Sequence, residues 1–297
     1  MDREPANQVP KNCARDAKGT RQHLEDSLRR LQTDYLDLWQ FHEINYDNDP
    51  DWIVERGALS EALKAQKEGK VRFLGFTGHK DPRIHLKMLA KHSWDTVLMP
   101  INVCDYHYRS FAREVVPEAI KRGIAPLGMK SLGGGRDHKG RFVVAKVCTV
   151  EEAIRYALSQ PIASLVVGID SMKVLEQDLA IARNFKPLSE QELAQLTDKV
   201  KHVAGDGHVL DLVGQARGRR RPPRTLQVHP VLRWPLPPQA ARPDPGGDRG
   251  NLSGRSGAWA GRRLGGLCEV FLAGPPGPPP CRRPGTPPVG RGEQRRR

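Results

Sequence analysis

VRFLGFTGHKDPRIHLKMLA, residues 71–90, changes its period partway along. Residues 71–76 are a short apolar and aromatic run of strand length. Over 84–92 the apolar side chains instead recur every three or four residues, as on one face of a helix. Between the two stands the polar turn Thr77-Gly78-His79. The same unit repeats on both sides. Upstream, Leu24, Leu28 and Leu31 fall on one face of a helix that Thr20 can cap, residues 35–41 read as a strand, and 61–68 are helical. Downstream, strands over 96–102, 124–129 and 164–169 alternate with helices over 113–122, 150–158 and 172–182.

Strand–helix units in succession argue for a parallel sheet, because parallel neighbours need a crossover and a helix is the usual one. A doubly wound sheet and a TIM barrel both satisfy this. The first favours a G-x-G-x-x-G turn after its opening strand, and none follows Phe41 or Phe76. Instead, polar or Gly-rich residues follow several strands: His42-Glu43, Thr77-Gly78-His79, Asn102 with 105–108, 130–135, and Asp170-Ser171. In a barrel these loops converge on one mouth, so the barrel is expected. Five clear strands and a remnant over 8–12 fall short of eight. The expectation is an incomplete (β/α)8 barrel lacking its first strands, with two open edges that invite self-association. Pro126, inside the 124–129 strand, predicts a bulge or a cost to the ladder.

Composition divides the chain near residue 213. Residues 1–213 hold 31 Lys and Arg against 30 Asp and Glu, whereas 214–297 hold 17 Arg, no Lys, 4 acids, 16 Pro and 15 Gly, so the net charge of +14 belongs to the second part. Such a segment buries too little apolar surface to offset the entropy of ordering it, which predicts one barrel-like domain, 1–213, and a disordered tail, 214–297. The tail's charge suits phosphate, but with only Trp234, Trp259 and Phe271 it lacks stacking platforms, so nucleic acid is a disfavoured partner. The abrupt loss of Lys also fits GC-rich codons read out of frame. Cys13, Cys104, Cys148, Cys268 and Cys281 form no metal-binding pattern. MDREPANQVP contains no apolar leader, and no run of about 18 apolar residues occurs. A soluble, reduced, cytoplasmic protein is expected.

Four runs carry a resemblance: DSLRRLQTDYLDLWQFHE at 26–43, GKVRFLGFTGHKDP at 69–82, GMKSLGGG at 128–135 and SLVVGIDSMKVLEQDL at 164–179. In this order and spacing they resemble the aldo-keto reductase superfamily, most of all its bacterial branch whose seventh strand ends in GMK-x-LGGG. The resemblance spans roughly residues 11–205. It implies a TIM barrel that reduces a small aldehyde or ketone with NAD(P)H, using an Asp, Tyr, Lys, His tetrad. Hydride arriving at a carbonyl carbon leaves an alkoxide, which such a tetrad stabilises and protonates.

Residue by residue, His42 in QFHE matches the tetrad His, which orients the carbonyl. Lys11 in VPKNC matches the tetrad Lys, although Pro10 replaces the family's Thr and a solvated Lys is an equal alternative. The family's Asp and Tyr precede that Lys, and here neither has a counterpart: Asp2 has neither the spacing nor a strand, and Tyr106 and Tyr108 are poor substitutes. Thr77 and Gly78 stand where a Ser-Asn pair holds the nicotinamide carboxamide. Asn102 lies one residue before a customary Gln, at Val103 here, and Met129 replaces a stacking aromatic. Lys130, Leu132, Gly133 and Gly134 belong to a loop that can approach a pyrophosphate, the alternative being an ordinary Gly-rich turn. Gly168, Ile169 and Ser171 open the last helix, whose N-terminus suits phosphate. Gln177 and Asp178 match an adenine-contacting Glu-Asn pair. The family's 2′-phosphate ligands fall at Gly168 and Val174, so NADP preference is unsupported.

The expected function is therefore an NAD(P)H-dependent aldo/keto reductase acting on a small carbonyl substrate, impaired by the absent Asp and Tyr, with no metal and no membrane. Two other readings stand beside it: a non-catalytic nucleotide-binding remnant or frameshifted fragment, and a basic-tailed nucleic-acid-associated protein.

Overall fold

The computed structural model of the 297-residue chain describes residues 9–134, 140–204 and 270–273, the last as backbone only. Gly135 and most of the expected tail, with a second unit over 215–267, lie outside the described residues.

Seven strands, β1 (Lys11–Asn12), β2 (Leu36–Phe41), β3 (Val71–Thr77), β4 (Thr96–Pro100), β5 (Ala125–Met129), β6 (Ser164–Gly168) and β7 (Val270–Ala273), form one sheet in chain order, every pair parallel. Between them run α1 (Ala17–Leu31), α2 (Asp49–Glu55), α3 (Ala58–Lys67), α4 (Pro82–Leu89), α5 (Phe111–Lys121), α6 (Arg141–Val144) and α7 (Val150–Leu158), and α8 (Met172–Arg183) and α9 (Glu190–Ala204) follow β6. A doubly wound sheet reverses its order at a switch point, and none occurs here; the sequential order is that of a (β/α)8 barrel. Among the described residues the ring is not closed, since β1 pairs only with β2 and β7 only with β6. The fold is an incomplete barrel.

Trp39, Phe41, Leu74, Phe76, Val97 and Met99 project from alternate positions onto Leu24 and Leu28 of α1, Ala58 and Ala62 of α3, Met88 of α4 and Val115 of α5, forming the main core. Trp94 closes it, meeting Phe41 and Phe76 edge-on and donating from Nε1 to the Met88 carbonyl at 2.8 Å. The opposite face carries Lys11, Gln40, Gly75, Thr96 and Ala125 side by side. Gly75 is required there: a Cβ would come within 2.2 Å of Thr96 Oγ1, the atom that Gln40 Nε2 reaches across it at 3.2 Å.

The helices begin where capping side chains stand. Asp16 caps α1 through the Gly19 N–H at 2.9 Å, and Thr149 and Glu152 form a reciprocal capping box on α7. Thr20 is therefore not the cap. It is buried a turn inside α1, its hydroxyl accepting from Asn12 Nδ2 at 3.1 Å, and Leu31 is exposed. The bulge expected at Pro126 is also absent, because β4 and β5 pair without a break from Thr96↔Ala125 to Pro100↔Met129. Successive residues of a parallel strand bond to alternate neighbours. The Ala125 N–H donates to Asp95 on the β4 side, so the missing Pro126 donor falls on the β6 side, where pairing begins only at Leu127↔Ser164.

Candidate active site

Parallel strands bring their C-terminal ends to one mouth. Lys11, His42, Thr77, Gly78, Asn102, Met129, Lys130 and Gly168 all stand at or within two residues of such an end. Leu132, Gly133 and Gly134 follow in the β5 loop, Ile169 and Ser171 in the β6 loop, and Gln177 and Asp178 lie on α8.

His42 is half-buried, its N–H donating to the Asn12 carbonyl at 2.8 Å and its Nδ1 lying 3.6 Å from Cys13 Sγ. Burial, then the charges of Lys11, Arg15 and Lys130, hold its pKa at about 4, so the ring is neutral near pH 7. Lys11 Nζ donates to Gln40 Oε1, a neutral partner, and burial lowers the ammonium to about 8. Cys13 is disulfide-bonded, which departs from the expected reduced thiols, while Cys104 and Cys148 are free and buried.

Arg15 fixes this corner. Its Nη2 donates to the carbonyls of His42 at 2.9 Å and Glu43 at 3.0 Å, its Nη1 to that of Cys13 at 3.1 Å, and its Nε to Asp49 Oδ1 at 3.2 Å. Asp49 Oδ2 accepts the N–H groups of Asn45 and Tyr46 at 3.0 and 2.9 Å, and Asn45 Oδ1 accepts that of His79 at 2.8 Å. Gly78 lies so close to this loop that a Cβ would come within 2.4 Å of the Ile44 carbonyl oxygen. One chain of hydrogen bonds thus sets the backbone at His42 and at His79.

The sequence singled out neither Arg15 nor His79. The Nδ1 of His79 is buried without a partner, and burial, followed by Lys130, His42, His85 and Lys11, lowers its pKa to about 3. His85 of α4 lies fully buried between Phe76 and Phe111, its pKa held at about 4 chiefly by burial. The only signal available beforehand was the placement of His79 in a polar turn at a strand end.

The nucleotide side is uneven. Thr77 is 1% exposed, and its Oγ1 has no hydrogen-bond partner. Asn102 is fully engaged: its Nδ2 donates to Asp105 Oδ2 at 2.8 Å and its Oδ1 accepts the Asp105 N–H at 3.0 Å. Burial, partly offset by that bond, raises the Asp105 carboxyl well above its ordinary range. Lys130, at φ 59°, and Gly133 and Gly134, at 76° and 69°, turn the β5 loop back on itself, with Gly133 N–H on the Lys130 carbonyl at 2.9 Å. Leu132 packs into both apolar clusters, and Met129 is buried. Ser171 caps α8 through the Val174 N–H at 3.3 Å. Asp178 is buried with Oδ1 unpartnered; burial raises its pKa, against a lowering hydrogen bond from exposed Gln177. Gly168 ends β6 and Ile169 follows it in the connection that leads to α8.

Tyr106 and Tyr108 pack beneath Arg113 and Arg109, and among the described residues no tyrosine hydroxyl bonds to His42 or Lys11. Cys104 is buried in the second cluster, and His107 Nε2 meets the Thr197 carbonyl at 2.7 Å. Among the described residues no three His, Cys, Asp or Glu side chains are placed to share a metal, and no helix is long and apolar enough to cross a membrane.

The fold and its mouth define an incomplete (β/α)8 barrel with a candidate site at the strand C-termini. Residues 7–141, fewer than half of the chain, match the aldo/keto reductase family model. The chain is similar to protein tas of Escherichia coli (strain K12), 30% identical over 140 residues that cover 41% of this chain and 39% of that protein. It is also similar to L-galactose dehydrogenase of Arabidopsis thaliana, 27% identical over 195 residues covering 58% and 60%. The chain therefore spans less than two thirds of either relative. In fold it is similar to the holo form of an aldo-keto reductase from Bacillus halodurans, with a TM-score of 0.52 at 18% identity over 65% of this chain and 72% of that one.

Proposed function

We propose that this mouth binds NAD(P)H and reduces a small aldehyde or ketone. The observation that carries the reading is the buried, unpartnered Thr77 hydroxyl on the strand next to a neutral His42. Bound nicotinamide would supply the hydride. Thr77 offers its carboxamide a donor and an acceptor. Lys130 with residues 131–134 offers the pyrophosphate charge and a tight backbone turn, the N-terminus of α8 adds a second anchor, and Gln177 and Asp178 serve the adenine end. Asn102 is given no part in this, because its amide is held by Asp105.

On the carbonyl side, a neutral imidazole can donate one N–H to the substrate oxygen and fix its orientation. The Lys11 ammonium, still mostly protonated at pH 7, faces the charge that develops on that oxygen. Among the described residues no tyrosine hydroxyl bonds to either group, and we assign the proton to Lys11. A site without a positioned acid turns over about 10²–10⁴-fold more slowly than one that has it. The same observation favours, as a second reading, a nucleotide-binding protein without turnover.

Fluorescence titration of the full chain with NADH and NADPH, followed by cofactor oxidation over an aldehyde panel, tests both. Saturable binding that Thr77→Val weakens about tenfold, with slow turnover removed by His42→Ala, is expected. Binding without turnover selects the second reading, and no saturable binding of either nucleotide defeats both.

A further inference from the structure

The mouth gathers two lysines, Lys11 and Lys130, and two imidazoles held neutral near pH 7, His42 and His79. His79 adds a second imidazole to the group of His42, Lys11 and Lys130, and each of these influences it electrostatically. Among the described residues no carboxylate is bonded to any of them. Asp49 is committed to Arg15 and two backbone amides, Asp81 to Arg83 and the first turn of α4, and Asp105 is buried against Asn102. The charges acting on His42 and His79 are all basic groups. Lys11 has only the amide oxygen of Gln40.

His79 is the member of this group without an assigned task. Its backbone is fixed by Asn45 at 2.8 Å, so its ring cannot drift from the mouth at no cost, and its Nδ1 is buried with nothing to bond. A buried polar atom left unpaired costs about 1–3 kcal/mol, and a ligand that pairs it recovers that. A carboxylate would do so and would also lie in the favourable field of the Lys11 and Lys130 ammonium groups. A neutral ligand would gain nothing from that field.

We propose that the mouth selects carbonyl compounds bearing a carboxylate, which His79 seats in the field of Lys11 and Lys130 while His42 takes the carbonyl oxygen. The proposal rests on the reading of the mouth as a carbonyl site and names the substrate class for it. His79 is thereby a specificity residue.

The test uses the full chain without any nucleotide, so its outcome is independent of whether NAD(P)H binds. Dissociation constants are measured by saturation-transfer NMR for pyruvate and succinic semialdehyde, for the neutral carbonyls acetone and butanal, and for inorganic phosphate. At least one of the two carboxylates should bind tenfold or more tightly than both neutral carbonyls and than phosphate. His79→Gln should remove that preference while leaving the neutral carbonyls unchanged, and Lys121→Gln, at the far end of α5, should alter nothing. Equal binding of charged and neutral carbonyls by the unaltered chain overturns the proposal without recourse to any variant. So does a preference that survives His79→Gln, or tighter binding of phosphate, which would make this a seat for a nucleotide phosphate.

Discussion

The β1–β3 side of the mouth and its β4–β6 side are built on different principles. On the first, Arg15 from the β1 loop and Asn45 from the β2 loop hold the backbone of His42 and His79, with Asp49 at the start of α2 joining the two, and the buried side-chain atoms left without a partner include Thr77 Oγ1 and His79 Nδ1. On the second, side chains that could meet a ligand are used up locally, Asn102 by Asp105 and Ser171 by the cap of α8, and what remains is loop backbone and Lys130. One side is preorganised around side chains. The other offers turns and helix ends.

The sharpest way to break the comparison is Asp49→Ala. It strands the buried Arg15 guanidinium and frees two amides, and should cost about 3–5 kcal/mol in urea unfolding, with the His42 resonances displaced. If the loss is below about 1 kcal/mol, the β1–β3 corner is not held by this pair.

Acid should act on the same side. His42, His79 and His85 have folded pKa values of about 4, 3 and 4, below the ordinary imidazole value of 6.5. Below about pH 6.5 the unfolded chain takes up protons that the folded one refuses, so stability falls as pH drops from there toward 4 and levels off beneath the folded values. The melting temperature should fall along this slope as pH is lowered, and His85→Leu should make the slope shallower. A flat profile in the unaltered chain would show these rings to be solvated.

Gly75→Ala should destabilise by about 1–3 kcal/mol, because its Cβ displaces Thr96 Oγ1 and breaks the Gln40 bridge. The smallest effect separates the two sides most finely. Asn102→Ala should lower stability by about 1–2 kcal/mol and leave nucleotide affinity unchanged, whereas Thr77→Val should do the reverse. Parallel melting curves and fluorescence titrations of the two variants would show an exchange of these effects if Asn102, and not Thr77, meets the nucleotide.

What the sequence revealed and what it concealed follow the range of the interactions. The 71–76 run, the turn after it and the helix pattern beyond are local, and β3, Thr77 and α4 appear where they were read. Helix α2, DPDWIVE, is too short to establish a period, and its importance lies in Asp49, whose partner Arg15 is 34 residues away. The role of His79 likewise depends on Lys11, His42 and Lys130 arriving from three other strand ends. The Asn102 side chain was legible as a strand-end amide, but its capture by Asp105 three residues on turns on a burial that composition does not show. Of the two outcomes open at Pro126, a bulge or a cost to the ladder, the bulge is avoided because the missing donor falls on the β6 side, where pairing begins only at Leu127↔Ser164.

The central claim is that residues from separate strand ends form one ligand-binding mouth. Histidine-resolved NMR of the full chain during titration with NADPH tests it directly. The account predicts that the His42 and His79 ring resonances shift together and saturably, while His23, bonded to Asn12 beside α1, and His107, bonded to the Thr197 carbonyl, stay in place. Shifts confined to His23 or His107, with His42 and His79 unmoved at saturation, would contradict it.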